Sequence, residues 1–465
     1  MNSIKTNKHS TMRYNKTFIY FICIVSAMGG LLFGYDWVVI GGAKIFYEQF
    51  FGIIGNSWLI GIATSIALAG CMLGALTCGT IADRYGRKPL LIFSAFIFVI
   101  SSIGTGAFSQ FGLFLVARFV GGLAIGIASG LSPMYIAEVA PNEIRGRLVT
   151  MNQLTIVIGI LAAQIVNWAI AATHGEDWNI AFGWRWMFYI TAVPAMFFLI
   201  LAFIIPESPR HQIMRGQMEA ASKTFIRIGG EEYAKAEIAA ISDTVVMDNS
   251  SKGGSFKLLL SKPFAKILLL GVIVAFFQQW SGTNVIFNYA QEIFQSAGYD
   301  VDNTFINIVV TGVANLIFTI VALFVVETLG RRALMLLGAA GLAGIYLVLG
   351  CCYFFNVSGT AMVVLCVLAI ACYAMTLGPI SWVLISEIFP NSVRAAGVAA
   401  ATFFLWIGSF TLTLTFPVLN TSLGTSGTFW IYSGICAVAL LYFIKHLPET
   451  KGKSLEQIEK EFTQK

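Results

Sequence analysis

The sequence GGLLFGYDWVVIGG, residues 29–42, lies inside the first long apolar run of the chain and carries one acid, Asp36. The run exceeds the ~20 residues that a helix needs to cross a bilayer. An ionisable side chain at membrane depth is costly, so it marks a functional site and calls for a partner. In the alternative, the run stops near Tyr35 and Asp36 lies at the water interface. The apolar residues 37–40 add another turn and favour the buried position.

Arg118 is the partner that depth identifies for Asp36. At 1.5 Å per residue, a first helix over residues 17–43 places Asp36 roughly 10 Å from its far end. The fourth apolar run, residues 111–137, crosses in the opposite direction, and Arg118 lies about seven residues into it, again roughly 10 Å below the same face. On this interpretation no other basic residue lies clearly inside an apolar run. Equal depth predicts an acid–arginine pair that acts as a proton switch.

Composition indicates a membrane protein that crosses the bilayer several times. Of its 465 residues, 57% are hydrophobic and 11% are charged, whereas soluble domains carry about 25% charged residues. Twelve apolar runs are each near or above the spanning length, which predicts an all-α membrane protein with twelve transmembrane helices. The runs cover residues 17–43, 57–82, 90–108, 111–137, 149–172, 185–205, 264–290, 304–326, 333–354, 360–387, 395–418 and 427–447.

The cysteines and histidines indicate no cofactor chemistry. All eight cysteines fall in apolar runs without metal-ligand spacing, and the four histidines lie in loops or near the chain ends. We interpret the cysteines as small core residues rather than as disulfides. We therefore expect no metal, no cofactor and no nucleic-acid partner. A membrane enzyme would also need a convergent nucleophile, acid pair or metal set, which the sequence does not offer.

Charge alternates between successive connections. Basic residues concentrate on one side of the membrane, in residues 5–16, 84–88, 145–147, 331–332, 394 and 445–453. The other connections are acidic apart from Lys44 and Arg185. The positive-inside rule then places both termini in the cytoplasm. The first run is too long for a signal peptide, and the compact loops favour a bacterial inner membrane.

Two pairs of motifs repeat along the chain. SPMYIAEVAPNEIRG, residues 132–146, matches SWVLISEIFPNSVRAAG, residues 381–397, and GTIADRYGRK, residues 79–88, matches VVETLGRR, residues 325–332. Two such pairs in the same order indicate parallel six-span halves with a solute site between them, which is a transporter architecture. The expected domains are residues 1–205 for the first half, 206–262 for a cytoplasmic helical linker, 263–448 for the second half and 449–465 for a cytoplasmic tail.

The motifs resemble those of the sugar porter family of the major facilitator superfamily, and the chain is similar to bacterial xylose–proton symporters and facilitative glucose transporters. The resemblance covers nearly the whole chain. It rests on GYD at 34–36, D-R-x-G-R-K at 83–88, PESPR at 206–210, QQ-x-x-G-x-N at 278–284, E-x-x-G-R-R at 327–332 and PETKG at 448–452. It implies alternating access to a central sugar site, and it assigns Asp36 and Arg118 to proton coupling.

Amide side chains mark the solute site. Gln278 and Gln279 lie near the middle of the seventh span, Asn284 follows a Gly282 that allows local unwinding, and Asn315 lies halfway along the eighth span. Amides both donate and accept hydrogen bonds, which suits an uncharged polyol. The alternative is amides that hold helices together. Three amides within seven residues of the seventh span favour a ligand.

Trp382 lies in GPISW, where Gly378 and Pro379 break the tenth span. An indole face can pack on the apolar face of a sugar ring. The alternative is a position in the interfacial aromatic belt, which the depth of Trp382 within its span disfavours. The resemblance assigns eight residues to sugar binding: Gln153, Ile156, Ile160, Gln278, Gln279, Asn284, Asn315 and Trp382.

Acid–arginine sets lie at the cytoplasmic ends of several spans. Bidentate arginine–carboxylate pairs can tie helix ends together, and the resemblance implies a latch between the halves that is closed when the site faces outward. Alternatively the charges only set topology, although topology requires basic residues and not matching acids. The candidate latch residues are Asp83, Arg84, Arg87, Glu138, Arg145, Glu207, Arg210, Glu327, Arg331, Arg332, Glu387 and Arg394.

These observations predict the import of a monosaccharide by proton symport through alternating access. Facilitative members of the family commonly lack an acid at the position of Asp36, so its presence favours symport over a uniporter on the same fold. A sugar sensor that does not transport is the third interpretation, which the short tail disfavours. Asn288, Leu405 and Ala374 differ from residues common among relatives and leave open whether the sugar is a pentose or a hexose. A monomer suffices, because parallel halves already enclose a site.

Overall fold

The computed structural model consists of helices and short connections throughout the residues it describes, which are 14–141, 143–251, 258–357, 359–390 and 393–450. In these ranges, eleven helices are long and apolar enough to cross a membrane. The last of them, Arg394–His446, holds two spans, because Gly424 has a φ of 70° and a ψ of 171° and interrupts it. The prediction of twelve transmembrane helices is confirmed.

The helices follow one another as α1 (Lys16–Phe51), α2 (Ser57–Tyr85), α3 (Arg87–Ala107), α4 (Phe111–Val139), α5 (Arg145–Thr173), α6 (Glu176–Ile204), α7 (Pro209–Met214), α8 (Met218–Ser251), α9 (Lys262–Trp280), α10 (Thr283–Asn288), α11 (Ala290–Ser296), α12 (Val301–Leu329), α13 (Arg331–Phe354), α14 (Thr360–Met375), α15 (Leu377–Glu387) and α16 (Arg394–His446).

Two spans are broken near the middle of the bundle. Gly282, with a φ of 88°, separates α9 from α10 in the seventh span, as its lack of a side chain predicts. In the tenth span the break falls at Thr376, slightly before the predicted position at Gly378 and Pro379. The proline ring clashes with the carbonyl four residues earlier, so the helix ends at Met375. Residues close to both breaks, Asn284 in the seventh span and Gly378 in the tenth, line a cavity at the centre of the protein.

The first helix is longer than expected. The sequence predicted an end near residue 43, where charged residues begin, but α1 continues to Phe51. No residue between Ala43 and Phe51 breaks a helix. The helix ends at Gly52, which takes a left-handed φ of 64° and donates its N–H to the carbonyls of the last turn. Lys44 and Glu48 therefore lie within α1 and not in a connection.

The bundle has two ends, which we call the linker face and the far face. At the linker face, α1 begins and α7 and α8 pack. Asn15 N donates to Ile228 O of α8 at 2.8 Å, and Tyr14 OH donates to Glu143 Oε2 at 2.8 Å. Burial and this carboxylate raise the pKa of Tyr14 to about 12, so the phenol remains a donor. At the far face, α1 ends at Phe51 and α2 begins.

The first and last six spans are bonded to each other at the far face. Ser57 and Thr421 share a hydrogen bond of 2.8 Å between their hydroxyls. Gln291 of α11 donates its Nε2 to Gly42 O of α1 at 2.9 Å. These bonds bring α1 and α2 against the far ends of the seventh and eleventh spans, and they close the bundle at the far face.

Candidate functional site

Asp36 and Arg118 are in contact inside the first six spans. Arg118 Nη1 donates to Asp36 Oδ1 at 2.6 Å, and the two residues are 3% and 5% exposed. The guanidinium also lies 5.4 Å from the ring centre of Phe188. The pairing that equal depth predicts is what the structure contains. A cavity of about 310 Å³ opens beside this ion pair.

A larger cavity of about 800 Å³ lies between the two sets of six spans. The structure places all eight predicted sugar-binding residues on its wall, including Gln153, which depth alone could not place. Gln153, Ile156 and Ile160 come from α5 and Asn315 comes from α12. The sequence motifs therefore converge on one space, although they lie far apart along the chain.

The amides of the broken seventh span form a chain of hydrogen bonds. Asn284 Nδ2 donates to Gln279 Oε1 across the break at Gly282. Gln279 Nε2 donates to Gln278 Oε1 at 2.5 Å, and Gln278 Nε2 donates to the hydroxyl of Tyr373 at 2.6 Å. Each amide retains further donor and acceptor capacity, so the chain is oriented without being saturated.

Aromatic rings form the rest of the wall. Phe33 lies edge-on to Trp37 at 5.2 Å and to Trp406 at 5.6 Å between ring centres. The buried Nε1 of Trp406 has no hydrogen-bond partner among the described atoms. Trp382 lines the same cavity, in agreement with a position inside the bundle rather than in the interfacial belt. Planar apolar rings next to amides match a ligand that has both hydroxyl groups and an apolar ring face.

Sequence reasoning missed the five aromatic cavity residues other than Trp382: Phe33, Trp37, Phe287, Tyr373 and Trp406. An aromatic residue inside an apolar run has the same pattern whether it faces lipid, core or cavity. Two of the three residues singled out as differing from relatives, Ala374 and Leu405, also line the cavity and make its wall apolar at those points.

At the linker face, the first six spans carry a compact charge cluster. Arg87 Nη2 bonds Glu138 Oε1 at 2.9 Å, and so joins α3 to α4. The Glu207 carboxylate accepts the backbone N–H of Arg87 at 2.9 Å and that of Lys88 at 3.3 Å, which caps the start of α3. Ser208 Oγ donates to Glu138 Oε2 at 2.5 Å. The PES segment thus ties α3 and α4 together.

The last six spans repeat this cluster bond for bond. Arg331 Nη2 bonds Glu387 Oε1 at 3.2 Å. Glu449 accepts the backbone N–H of Arg331 at 2.9 Å and that of Arg332 at 3.0 Å. Thr450 Oγ1 donates to Glu387 Oε2 at 2.6 Å. The repeat noticed in the motifs therefore extends to PET, which takes the place of PES.

The other candidate latch residues lie at the same face. Asp83 is a second acid for Arg87, at 3.2 Å, and Arg215 Nη2 donates to Arg84 O at 2.6 Å. The ion pairs named here each join helices within one set of six spans. A latch between the two sets stays a prediction.

Arg145 begins α5, and Arg210 lies in α7. Burial raises the pKa of Glu237 on α8, and the nearby Arg145 opposes that shift. The side chains of Glu327 and Arg394 lie outside the described residues.

Comparison with known proteins identifies the family. A family model described as "Sugar (and other) transporter" matches residues 22–462. The arabinose–proton symporter of Bacillus subtilis is 35% identical and covers 98% of both chains. The D-xylose–proton symporter of Escherichia coli is 34% identical and covers 96% of both chains. The inward open structure of the xylose transporter XylE from E. coli superposes with a TM-score of 0.85 at 33% identity, and the match covers 95% of this chain and 99% of that one.

The chain belongs to the sugar porter family of the major facilitator superfamily. The recognition made from the motifs is confirmed, and so are the all-helical fold and the multi-pass membrane character. The family consists of transporters rather than enzymes. Residue roles within this sugar porter, in contrast, remain predictions that rest on the geometry above.

Lys44 is a buried cation that the sequence analysis placed in a connection. It is 2% exposed. Its ammonium contacts the carboxylates of Glu48, at 3.6 Å, and of Glu292 in α11, and it lies 4.1 Å from the ring centre of Tyr289. The expectation that Arg118 is the one basic residue inside an apolar run is wrong, because α1 extends past Ala43. In this sugar porter Lys44 joins the first six spans to the last six at the far face.

Replacing Lys44 with Met is expected to open the far face. The variant leaves the carboxylates of Glu48 and Glu292 without their cation, which costs about 3 kcal/mol in the closed arrangement. Spin labels at the exposed residues Gln49 and Gln295 should then report longer distances than in the parent protein. A double variant, Lys44→Met with Glu292→Met, replaces the two charges that meet between the sets of spans by apolar groups and should restore the short distance. Unchanged distances in the single variant would contradict this role.

Glu207→Gln is expected to lower the thermal stability of the protein. A carboxylate that caps a helix start is worth about 1 kcal/mol, and the amide keeps the shape but loses the charge. Unfolding temperature in detergent is the measurement. Glu219→Gln is the control, because Glu219 lies exposed on α8 with Lys223 and such pairs contribute little. Equal unfolding temperatures for the parent and Glu207→Gln would refute the capping role.

Proposed function

We propose that this chain imports a monosaccharide by proton symport through alternating access. The observation that carries the proposal is the short separation between two sites. A buried acid–arginine pair and a cavity lined by amides and aromatic rings share the side chains of Phe33 and Trp37 as a common wall. The names of the two relatives, symporters of arabinose and of D-xylose with protons, support both the sugar and the proton.

The chemistry of the cavity supports an uncharged polyol as the solute. Among the described residues that line it, none carries a charge. An amine or a carboxylate would leave its charge without a counter-ion in a low-dielectric space, which is costly. Hydroxyl groups can use both the donors and the acceptors of the amide chain. The predicted roles of Gln153, Ile156, Ile160, Gln278, Gln279, Asn284, Asn315 and Trp382 as sugar contacts follow from this match.

The proposed cycle uses the ion pair as its switch. In the outward-facing state a proton from outside neutralises Asp36, releases Arg118 and allows sugar to bind and the far face to close. One charge that moves down the membrane potential supplies about 2.3 kcal/mol per 100 mV, enough for tens-fold accumulation. The cavity then opens at the linker face, and sugar and proton leave. The bonds at the far face described above correspond to the inward-facing stage.

The orientation of the chain in the membrane follows from the same proposal. The linker face, with both termini, lies in the cytoplasm, and the apolar outer surface of the bundle contacts the lipid of a bacterial inner membrane. Residues 1–205 and 263–448 form the moving halves, 206–262 the linker and 449–465 the tail. In the outward-facing state the candidate latch residues tie the two halves together at the linker face. One chain is sufficient for transport, and no catalysis is involved.

Proteoliposomes provide the test. Uptake of labelled xylose, glucose, galactose and arabinose is measured with and without an imposed inward proton gradient. Accumulation that collapses with a protonophore supports symport, and the preferred label identifies the sugar. Equilibration that ignores the gradient would make the chain a uniporter and reduce Asp36 to a structural residue. No flux of any of the four sugars by folded protein would contradict the proposal.

A further inference from the structure

The side chain of Asn288 has no role in the transport cycle described above. It lies at the end of α10 and is 4% exposed. Its amide lines the same cavity as Asp36 and Arg118. The oxygen Oδ1 is buried and has no hydrogen-bond partner among the described atoms. A buried acceptor without a partner costs free energy, so its position calls for an explanation.

The helix that carries Asn288 connects the two cavities. α10 is a six-residue helix between Gly282, with a φ of 88°, and Tyr289, which is not helical. Asn284, near its start, lines the sugar cavity, and Asn288, at its end, lines the cavity of the ion pair. The two amides are about 6 Å apart along the helix axis. A rigid segment thus holds one amide in each cavity.

α10 also contacts the helix of the acid across the two sets of spans. A Cβ placed on Gly41 of α1 would lie 2.9 Å from Phe287 O and 3.1 Å from Asn288 O. The absence of a side chain at Gly41 therefore lets the backbone of α10 lie directly on α1, slightly more than one turn beyond Asp36. This contact belongs to the closed arrangement of the far face.

We propose that Asn288 is a positioning residue for the transported proton, in which its Oδ1 accepts the hydrogen bond of the Asp36 carboxylic acid. A carboxylate has no O–H and is satisfied by the Arg118 guanidinium, whereas the protonated acid has one O–H that needs an acceptor. The proton comes from the outside solution, stays covalently on Asp36 and leaves to the cytoplasm. Asn288 exchanges no atom and only supplies the acceptor. The inference rests on the proposed symport.

The other polar groups around Asp36 are donors or already have partners. Arg118 of α4 is a donor only, and Cys71 of α2 is the other titratable group on the cavity wall. Thr64 of α2 also lines the cavity, but its hydroxyl donates to Ile60 O at 2.9 Å and shares a bond of 3.4 Å with the hydroxyl of Tyr47. Phe188 of α6 faces the guanidinium. Lys44, Glu48 and Tyr47 lie two to three turns further along α1, towards the far face.

The geometry couples three events. The bond between Asp36 and Asn288 forms only when α10 lies on α1, so protonation and closure of the far face favour each other, as linked equilibria must. A sugar that binds Asn284 contacts the same helix, α10. Sugar binding, protonation of Asp36 and closure of the far face therefore all involve one short segment of the last six spans.

Two variants that remove the amide, Asn288→Leu and Asn288→Ala, test the inference in proteoliposomes. The readouts are the external pH at which gradient-driven uptake is half-maximal and the rate of sugar exchange at saturation. The probe is whichever of the four sugars the parent protein accumulates. We expect both variants to shift this pH midpoint by about one unit towards acid, because the carrier then binds the transported proton about tenfold more weakly. The rate of sugar exchange should be retained. Asn288→Thr keeps an oxygen acceptor and should shift the midpoint less.

Asn167→Leu is the matched control. Asn167 is a 2% exposed amide on α5 that donates to Val39 O of α1 at 3.2 Å and lines neither cavity. The external pH of half-maximal uptake in Asn167→Leu should equal that of the parent protein. A parental midpoint in both amide-removing variants would overturn the inference while leaving symport intact, and so would an equal loss of uptake and exchange. A parent protein that equilibrates sugar without accumulating it would overturn both proposals.

Discussion

Asp36→Asn is expected to abolish the accumulation of sugar against its gradient and to leave sugar exchange intact. The amide has nearly the shape of the carboxylic acid but cannot bind or release a proton near neutral pH, so the carrier remains in its protonated-like form. The accumulation ratio should fall from tens-fold, at about 2.3 kcal/mol per 100 mV, to one. The measurement is uptake of labelled sugar into proteoliposomes with an imposed proton gradient, together with exchange across vesicles at equal sugar concentrations.

The control for this variant is Asp177→Asn, which changes an exposed acid in the first turn of α6. It should accumulate sugar as the parent does. If uphill uptake persisted in Asp36→Asn, the assignment of Asp36 to proton coupling would be wrong. If exchange also stopped in folded protein, the carboxylate would have a role in closure rather than in coupling.

Gln279→Leu is expected to weaken sugar binding about tenfold to hundredfold. Gln279 is the centre of the amide chain, so its loss removes a sugar contact and leaves Asn284 and Gln278 without their partner. Each lost hydrogen bond or unpaired polar group costs about 1–3 kcal/mol. Quenching of tryptophan fluorescence can measure the dissociation constant, because Trp382 and Trp406 line the cavity.

Gln164→Leu is the control for the sugar site. Gln164 is a 1% exposed amide on α5 that lines neither cavity. Sugar affinity should be unchanged in this variant. Parental affinity in Gln279→Leu would show that the amides of the seventh span hold helices together, which is the alternative left open by the sequence.

The features that sequence predicted are those that depend on position along one helix axis. Span number and the contact between Asp36 and Arg118 follow from a rise of 1.5 Å per residue and the cost of charge in lipid, and the break at Gly282 follows from the conformational freedom of glycine. Five sugar-site residues came from residue type and depth as well as from the family resemblance, and Gln153, Ile156 and Ile160 came from the resemblance alone. The structure places all eight around one cavity. The roles of these residues still await the measurements above.

The features that sequence missed depend on rotation about the helix axis and on contacts between distant segments. Trp37 and Trp406 have the same pattern as core residues until the two sets of spans are packed together. The charge of Lys44 suggested that it lies in a connection between spans. Its counter-ion Glu292 lies on α11, far along the chain, so the sequence alone does not pair the two residues. Asn288 is one more polar residue of the seventh span until the packing of α10 places it on the wall of the cavity that Asp36 also lines.

The paired caps at the linker face also define where one repeat unit ends and the next begins. Glu207 and Ser208 bond the ends of α3 and α4. Glu449 and Thr450 bond the corresponding ends of α13 and α15. Each unit is therefore six spans plus the four residues that follow the last of them, 205–208 in the first unit and 447–450 in the second. A chain expressed as two fragments must keep residues 206–208 on the first fragment, because a cut before them removes the group that closes that unit. The rest of the linker can be divided without touching either cap.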